Sequence, residues 1–217
     1  YYSSNYTSVS GNNITNNESG ISVYSSNNSV SGNTITANIM DGIALYDSSN
    51  NSISANNITN NGDGIALHYS SNNKFYHNFI DNTQQVSSDG YANIWDDGYP
   101  SGGNYWSDYT RFDDFSGPYQ NETGSDGIGD TPYTIDADNQ DNYPLMNPWT
   151  PTETVVKMGG RDYLVTVVSN TTIDQIVATK NTLHFESSGP TGEKGYILVI
   201  FPLVNTTSIK VLIDGKL

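Results

Sequence analysis

Ser3-Ser4-Asn5, Ser25-Ser26-Asn27, Ser48-Ser49-Asn50 and Ser70-Ser71-Asn72 are one tripeptide met four times, at steps of 22, 23 and 22 residues. Other columns keep the same step: Val9, Val30, Ile53, Phe75; Ile14, Ile35, Ile58, Ile80; and the pairs Gly20-Ile21, Gly42-Ile43, Gly64-Ile65. A unit this short cannot bury its own apolar side chains, so it must stack on copies of itself. Between the columns one β-branched residue alternates with polar ones, as in Asn28-Ser29-Val30-Ser31 and Asn12-Asn13-Ile14-Thr15. That alternation is the period-two pattern of a half-buried strand. No amphipathic helix of useful length is present. The fold class is all-β: a right-handed parallel β-helix with three strands per coil over residues 1–88, its columns stacked about 4.8 Å apart. A leucine-rich repeat shares the period but needs a leucine consensus, and here Ile, Val, Ser and Asn dominate.

Asn and Gly suit the corners, because Asn tolerates the left-handed backbone conformation and can bond its amide to the copy one coil away. The column Tyr2, Tyr24, Tyr46, His68 is read as a stabilising aromatic stack, with a sugar platform as the alternative.

The chain has 217 residues and a net charge of −15, which argues against nucleic acid and anionic membrane partners. The charge is local. Residues 75–150 hold thirteen Asp or Glu and one Arg, whereas residues 1–74 hold four acids and one Lys. Cysteine is absent, so there is no disulfide framework. Asn-X-Ser/Thr sequons begin at Asn5, Asn13, Asn17, Asn27, Asn50, Asn57, Asn121, Asn170 and Asn205, which suits an exported glycoprotein at the cell surface. The stretch contains no signal peptide or membrane span; its apolar run Tyr196 to Val204 is too short to cross a bilayer. Tyr2-Ser3-Ser4-Asn5 enters a coil without a polar cap, so an open sheet edge is expected there, covered by earlier coils or by a neighbouring subunit.

From about Asp89 the repeat gives way to an acidic, aromatic and Gly-rich segment, residues 89–148. Its motifs are Asn93-Ile94-Trp95-Asp96-Asp97-Gly98, Gly103-Asn104-Tyr105-Trp106-Ser107-Asp108-Tyr109, Asp126-Gly127-Ile128-Gly129-Asp130-Thr131-Pro132-Tyr133 and Asp136-Ala137-Asp138-Asn139-Gln140-Asp141-Asn142-Tyr143-Pro144-Leu145. With the upstream coils, this series resembles the NosD-like β-helix repeat proteins that are abundant on archaeal cell surfaces, over roughly residues 1–148. Carboxylates spaced by glycines are what a hard divalent cation needs. Calcium is therefore expected, with Asp126, Asp130, Asp136, Asp138 and Asp141 as ligands. In the resembling proteins an Asp-X-Asn stretch precedes the Asp-Gly-Ile-Gly-Asp element; here Asn121-Glu122-Thr123-Gly124-Ser125 stands in its place. A hydrogen-bonded, solvated acidic loop is the alternative. Trp95, Tyr105, Trp106, Tyr133, Tyr143 and Trp149 are expected to wedge shut the end of the solenoid, with a sugar cleft as the second possibility.

Pro148 to Pro151 is read as a linker into residues 149–217. Alternating strands at Tyr163 to Val168, Ile173 to Ala178, Thr182 to Phe185, Tyr196 to Phe201 and Ile209 to Ile213 point to a small antiparallel β-sandwich. The stretches Val168-Ser169-Asn170-Thr171-Thr172-Ile173, Leu183-His184-Phe185 and Ser188-Gly189-Pro190-Thr191-Gly192 resemble the sandwich that often precedes the membrane anchor of archaeal surface proteins. Such modules continue past the Asp214-Gly215 found here, so a missing strand is expected to come from the next subunit.

Parallel β-helices often carry polysaccharide hydrolases and lyases, yet a fold does not establish an activity. Asp41 and Asp63, with Asp89 as a further member, could stack as an acid and base pair. Lyase chemistry needs cations, and Lys74 is the first in the chain. The resemblance also carries a copper association in its name. The donors on offer are His68, His77 and His184 with Met40, Met146 and Met158, a poor set without cysteine. No phosphate-binding Gly loop or Ser-His-Asp motif is recognisable. The expected function is a non-enzymatic, extracellular structural protein of the cell surface: a filament, sheath or surface-layer subunit that pairs with copies of itself or with other surface proteins. A carbohydrate-binding or carbohydrate-cleaving module, with glycan partners, is the alternative.

Overall fold

A computed structural model describes residues 5–148, 150–158, 161–169, 172–178, 183–188 and 197–200. The repeats wind into three parallel sheets. One stacks Ser8–Ser10, Ser29–Ser31, Ser52–Ser54 and Lys74–Tyr76; the second stacks Asn13–Thr15, Thr34–Thr36, Asn57–Thr59, Phe79–Asp81 and Tyr105–Trp106; the third stacks Ile21–Val23, Asp41–Tyr46, Asp63–His68 and Gln84–Ser87. The register follows the columns, with Val30 beside Ile53 and Ile53 beside Phe75, and with Ile35 beside Ile58 and Ile58 beside Ile80. Ile35, Ile43, Ile53, Ile58, Ile65, Phe75 and Ile80 are buried to the last atom, while Val9 and Ile14 of the first described coil are half-buried.

The corners are built by one rule, used three times per coil: a residue with positive φ followed by an inward asparagine. At the first corner Asn27, Asn50 and Asn72 take φ near 60° and Asn28, Asn51 and Asn73 follow. At the second, Gly32, Ala55 and His77 precede Asn33, Asn56 and Asn78. At the third, Ala37 and Asn60 precede Asn38 and Asn61. Asn28 Oδ1 accepts from the backbone N of Thr7, and the other inward Oδ1 atoms accept from the backbone N and the side-chain Nδ2 of the asparagine one coil earlier, as Asn51 does from Asn28 at 2.8 and 3.0 Å. Asn78 does the same for Asn56 at 3.0 and 2.9 Å. A turn inside a solenoid buries backbone donors that no strand can satisfy, and the asparagine ladder satisfies them.

Residues 150–200 contain two antiparallel sheets. Thr150–Met158 pairs Arg161–Ser169, which pairs Ile197–Ile200; Thr172–Ala178 pairs Leu183–Ser188. Val165 and Val167 are buried against Tyr163, Ile173, Ile176, Leu183 and Val199. Four of the five expected strands are present, and Ile209 to Ile213 lies outside the described residues. Of the expected linker Pro148 to Pro151, Thr150 and Pro151 belong to the nine-residue strand Thr150–Met158, and Trp149 lies outside the described residues. Pro151 is tolerated there because Thr150–Met158 lies at the edge of its sheet among the described residues. The open edge expected at Tyr2-Ser3-Ser4-Asn5 falls mostly on residues 1–4, outside the described residues.

Candidate functional site: the capped end of the solenoid

The acidic segment closes the end of the β-helix by continuing its core columns in aromatic form. Trp95 stacks on Phe75 at 4.3 Å, Trp106 occupies the rung after Ile80, and Tyr133 stacks on Trp106 at 4.2 Å. Both tryptophans are buried. The three asparagine ladders end here as well, each on a different acceptor. Gln85 Oε1 takes the backbone N of Asn82 at 3.0 Å. Asn139 Oδ1 takes the backbone N of Asn93 at 2.9 Å and Trp95 Nε1 at 3.0 Å. Asp141 takes the backbone N of Asn104 at 2.7 Å, Trp106 Nε1 at 2.9 Å and, on its other oxygen, the backbone N of Tyr143 at 3.1 Å.

Asp141 is fully buried, and burial pushes its carboxyl up to about 7 against the pull of these N–H donors. An unfolded Asp titrates near ~3.9, so between that pH and 7 the native state holds a proton that the unfolded chain has lost. The stabilisation is complete below about pH 4 and declines as pH rises to about 7, by on the order of 4 kcal/mol at 1.36 kcal/mol per unit. Urea melts across this range are expected to show the decline, and Asp141→Asn to flatten it. An unchanged slope in the variant would remove Asp141 as its source.

The five carboxylates expected to hold calcium stand in separate places. Asp126 Oδ1 accepts from the N of Ile128, and Oδ2 from the N of Gly117 and Gln120 Nε2. Asp130 accepts from the N of Asp114 and Phe115. Asp136 accepts from Asn139 Nδ2 and the N of Asp138, the Asp138 side chain is exposed, and Asp141 ends a ladder. Among the described residues no three His, Cys, Asp or Glu side chains are grouped to hold a metal ion. Asp126, Asp130, Asp136 and Asp141 act here as hydrogen-bond acceptors that staple loops.

The copper donors fit no better. His68 stacks on Tyr46 at 4.8 Å on the outer surface, His77 is buried at a corner, and His184 is exposed in Leu183–Ser188. Met40 is exposed, Met146 is half-buried, and Met158 ends the strand Thr150–Met158. Tyr24, Tyr46 and His68 stack face to face, 4.8 Å apart and within 10° of parallel. Ring faces used on each other leave mainly edges for a sugar, which favours a stabilising role for that column.

Asp41 and Asp63 are neighbours in register, and burial raises Asp41 with Asp63 adding to it. The next member of that column is Gln84, because the last coil is shorter; Asp89 turns back to accept from the N of Tyr69. The cleft at the capped end, about 510 Å³ and lined by Gln84, Gln85, Ser107, Asp108 and Tyr133 among others, contains neither Asp41 nor Asp63.

One cluster was invisible in the sequence: His77, Asp97 and Ser101, with Lys74 ion-paired to Asp97. Its wiring is wrong for nucleophilic catalysis. Ser101 Oγ donates to Asp97 at 2.9 Å, and His77 Nε2 lies 2.8 Å from the Ser101 carbonyl, which needs the proton on that nitrogen. Burial lowers His77 to about 4, so the ring is neutral and serves as a corner brace.

Of the sequon asparagines, Asn5, Asn13, Asn17, Asn50 and Asn121 are exposed and Asn27 and Asn57 are half-buried. Asn170 and Asn205 lie outside the described residues. No helix among the described residues is long and apolar enough to cross a membrane.

No curated protein and no solved structure matches the chain. Residues 1–111, just over half of the sequence, match the family model described as periplasmic copper-binding protein (NosD). With the coils, the register and this match in agreement, the chain belongs to the NosD family of parallel β-helix proteins.

Proposed function

We propose that the chain is an extracellular structural protein of the cell surface, a subunit of a filament, sheath or surface layer joined through strand edges. The family's description as periplasmic supports reading the chain as an exported β-helix protein. The observation that carries the structural role is the set of three asparagine ladders running along the solenoid, one ending on Gln85 of the last coil and two on the cap residues Asn139 and Asp141. They spend the chain's buried polar chemistry on stiffness, since a fully satisfied buried network rigidifies and specifies its core. Joining through edges is supported by Thr150–Met158, which among the described residues pairs on one side only and carries the 65 % exposed Val155. An unpaired edge is a template for another chain.

Electron microscopy of the purified protein, concentrated at neutral pH, tests this. Regular filaments or sheets that disperse when Val155 is replaced by proline are the expected result. Monodisperse monomers under all conditions, together with turnover of a polysaccharide lost in Asp41→Asn, would overturn it for the carbohydrate-active alternative.

A further inference from the structure

The cap carries a hairpin that its sealing role does not use. Phe115–Ser116 pairs antiparallel with Glu122–Thr123, and the loop between them turns at Gly117 to Asn121. Phe112, Phe115 and Tyr119 on this hairpin are 74 %, 42 % and 83 % exposed, in contrast to the buried Trp95 and Trp106 of the same segment. The hairpin is held firmly. Asp113 accepts from the N of Asp126 and Gly127 and from Ser125 Oγ; Asp130 accepts from the N of Asp114 and Phe115; the N of Asp130 donates to the carbonyl of Phe112; and Tyr143 Oη donates to the carbonyl of Pro118. Aromatic rings fixed in water by so many bonds are pre-organised for contact, and pre-organisation lowers the ordering cost of binding.

Charge selects the occupant. Residues 111–130 hold Asp113, Asp114, Glu122, Asp126 and Asp130 against Arg111. Asp113, Asp126 and Asp130 staple the hairpin, whereas the exposed Asp114 and Glu122 carboxylates have no bond to another described residue. A second copy would meet it with like or no net charge: over residues 5–148 its cations are Lys74, paired to Asp97, and Arg111, and over residues 149–217 its six Lys or Arg are balanced by six Asp or Glu. A neutral glycan would stack on the rings and donate hydroxyls to the acids, but it brings no positive charge to balance them. Arg and Lys use both, with the cation over a ring and the charge against a carboxylate.

We propose that the hairpin of Phe112, Phe115 and Tyr119, flanked by Asp114 and Glu122, docks a basic segment of a different protein. This goes beyond strand-edge assembly and does not depend on it.

The test is calorimetric titration of the full chain, produced without N-glycans because the sequon at Asn121 adjoins Tyr119. The probe is a synthetic peptide of alternating Arg and Gly. Phe112→Ser with Tyr119→Ser keeps the charge, Asp114→Asn with Glu122→Gln keeps the rings, and Glu18→Gln with Asp47→Asn removes two exposed acids from the coils as a control. Both hairpin variants are expected to weaken binding at least tenfold and the control less than twofold. Equal losses in all three would mean diffuse charge attraction and overturn the proposal, as would unchanged binding in the hairpin variants. Two further results would overturn it: binding of a neutral oligosaccharide that only the ring variant loses, with the peptide unaffected, and self-association abolished by the ring variant.

Discussion

Replacing Asn78 by alanine is expected to cost about 3–5 kcal/mol of stability and lower the melting temperature by roughly 10 °C. Asn78 is 1 % exposed and sits in the middle of the second ladder. Its Oδ1 receives the N and Nδ2 of Asn56, and its Nδ2 donates to the carbonyl of Ile53 at 2.9 Å and to Asn104 Oδ1 at 2.8 Å. Alanine leaves the Asn56 N and the Ile53 carbonyl without these partners in a buried corner. Each such orphan costs about 1–3 kcal/mol, with a small cavity in addition. The contrasting substitution is Asn72→Gly. Asn72 is exposed with φ near 56°, where glycine is at ease, so a change below about 1 kcal/mol is expected. Similar melting temperatures for the two variants would refute the division of labour at the corners.

Gly103→Ala is expected to detach the cap. The Gly103 carbonyl accepts from the N of His77 at 2.6 Å and its N donates to the carbonyl of Tyr143 at 2.7 Å, so its backbone is clamped between the last corner and the cap. A methyl group added there would overlap the Asp141 carboxylate. Asp141 cannot retreat, because N–H donors of Asn104, Trp106 and Tyr143 hold it from several sides. Overpacking usually costs about 1–3 kcal/mol; with both partners immobile, a loss of about 4 kcal/mol or more is expected. Trp95 and Trp106 report the outcome: their emission should shift to the red and the near-ultraviolet dichroism should collapse. Native spectra and melting in this variant would show that the cap does not close as described.

The aliphatic columns were legible because a solenoid repeats its core at a fixed step, so Ile35, Ile58 and Ile80 declare one another. The ladders were only half legible. Asn27, Asn50 and Asn72 of the repeated tripeptide are the left-handed corner residues, and the buried ladder members are the ones that follow. One residue type doing two jobs side by side hides which is which. The cap was legible as a cap, since large rings beside a decaying repeat have little else to do. Asp141 was not, because its partner Asn104 lies 37 residues away and nothing local marks the pairing. Placing it among metal ligands followed from its neighbours in sequence, whereas its actual neighbours are amide and indole donors. The step from Asp63 to Gln84 was missed for a simpler reason: the final coil drops a residue, and a fixed period cannot foresee that.

Native-state hydrogen exchange, resolved residue by residue, tests most directly whether asparagine ladders stitch the corners into the core. The backbone amides of Asn51, Asn56, Asn73 and Asn78 donate to side chains rather than to strands. They are expected to exchange only through global unfolding, with the same free energy as the neighbouring strand residues Ile53 and Ile58. Corner amides that open locally, at a free energy lower by about 3 kcal/mol or more, would contradict it.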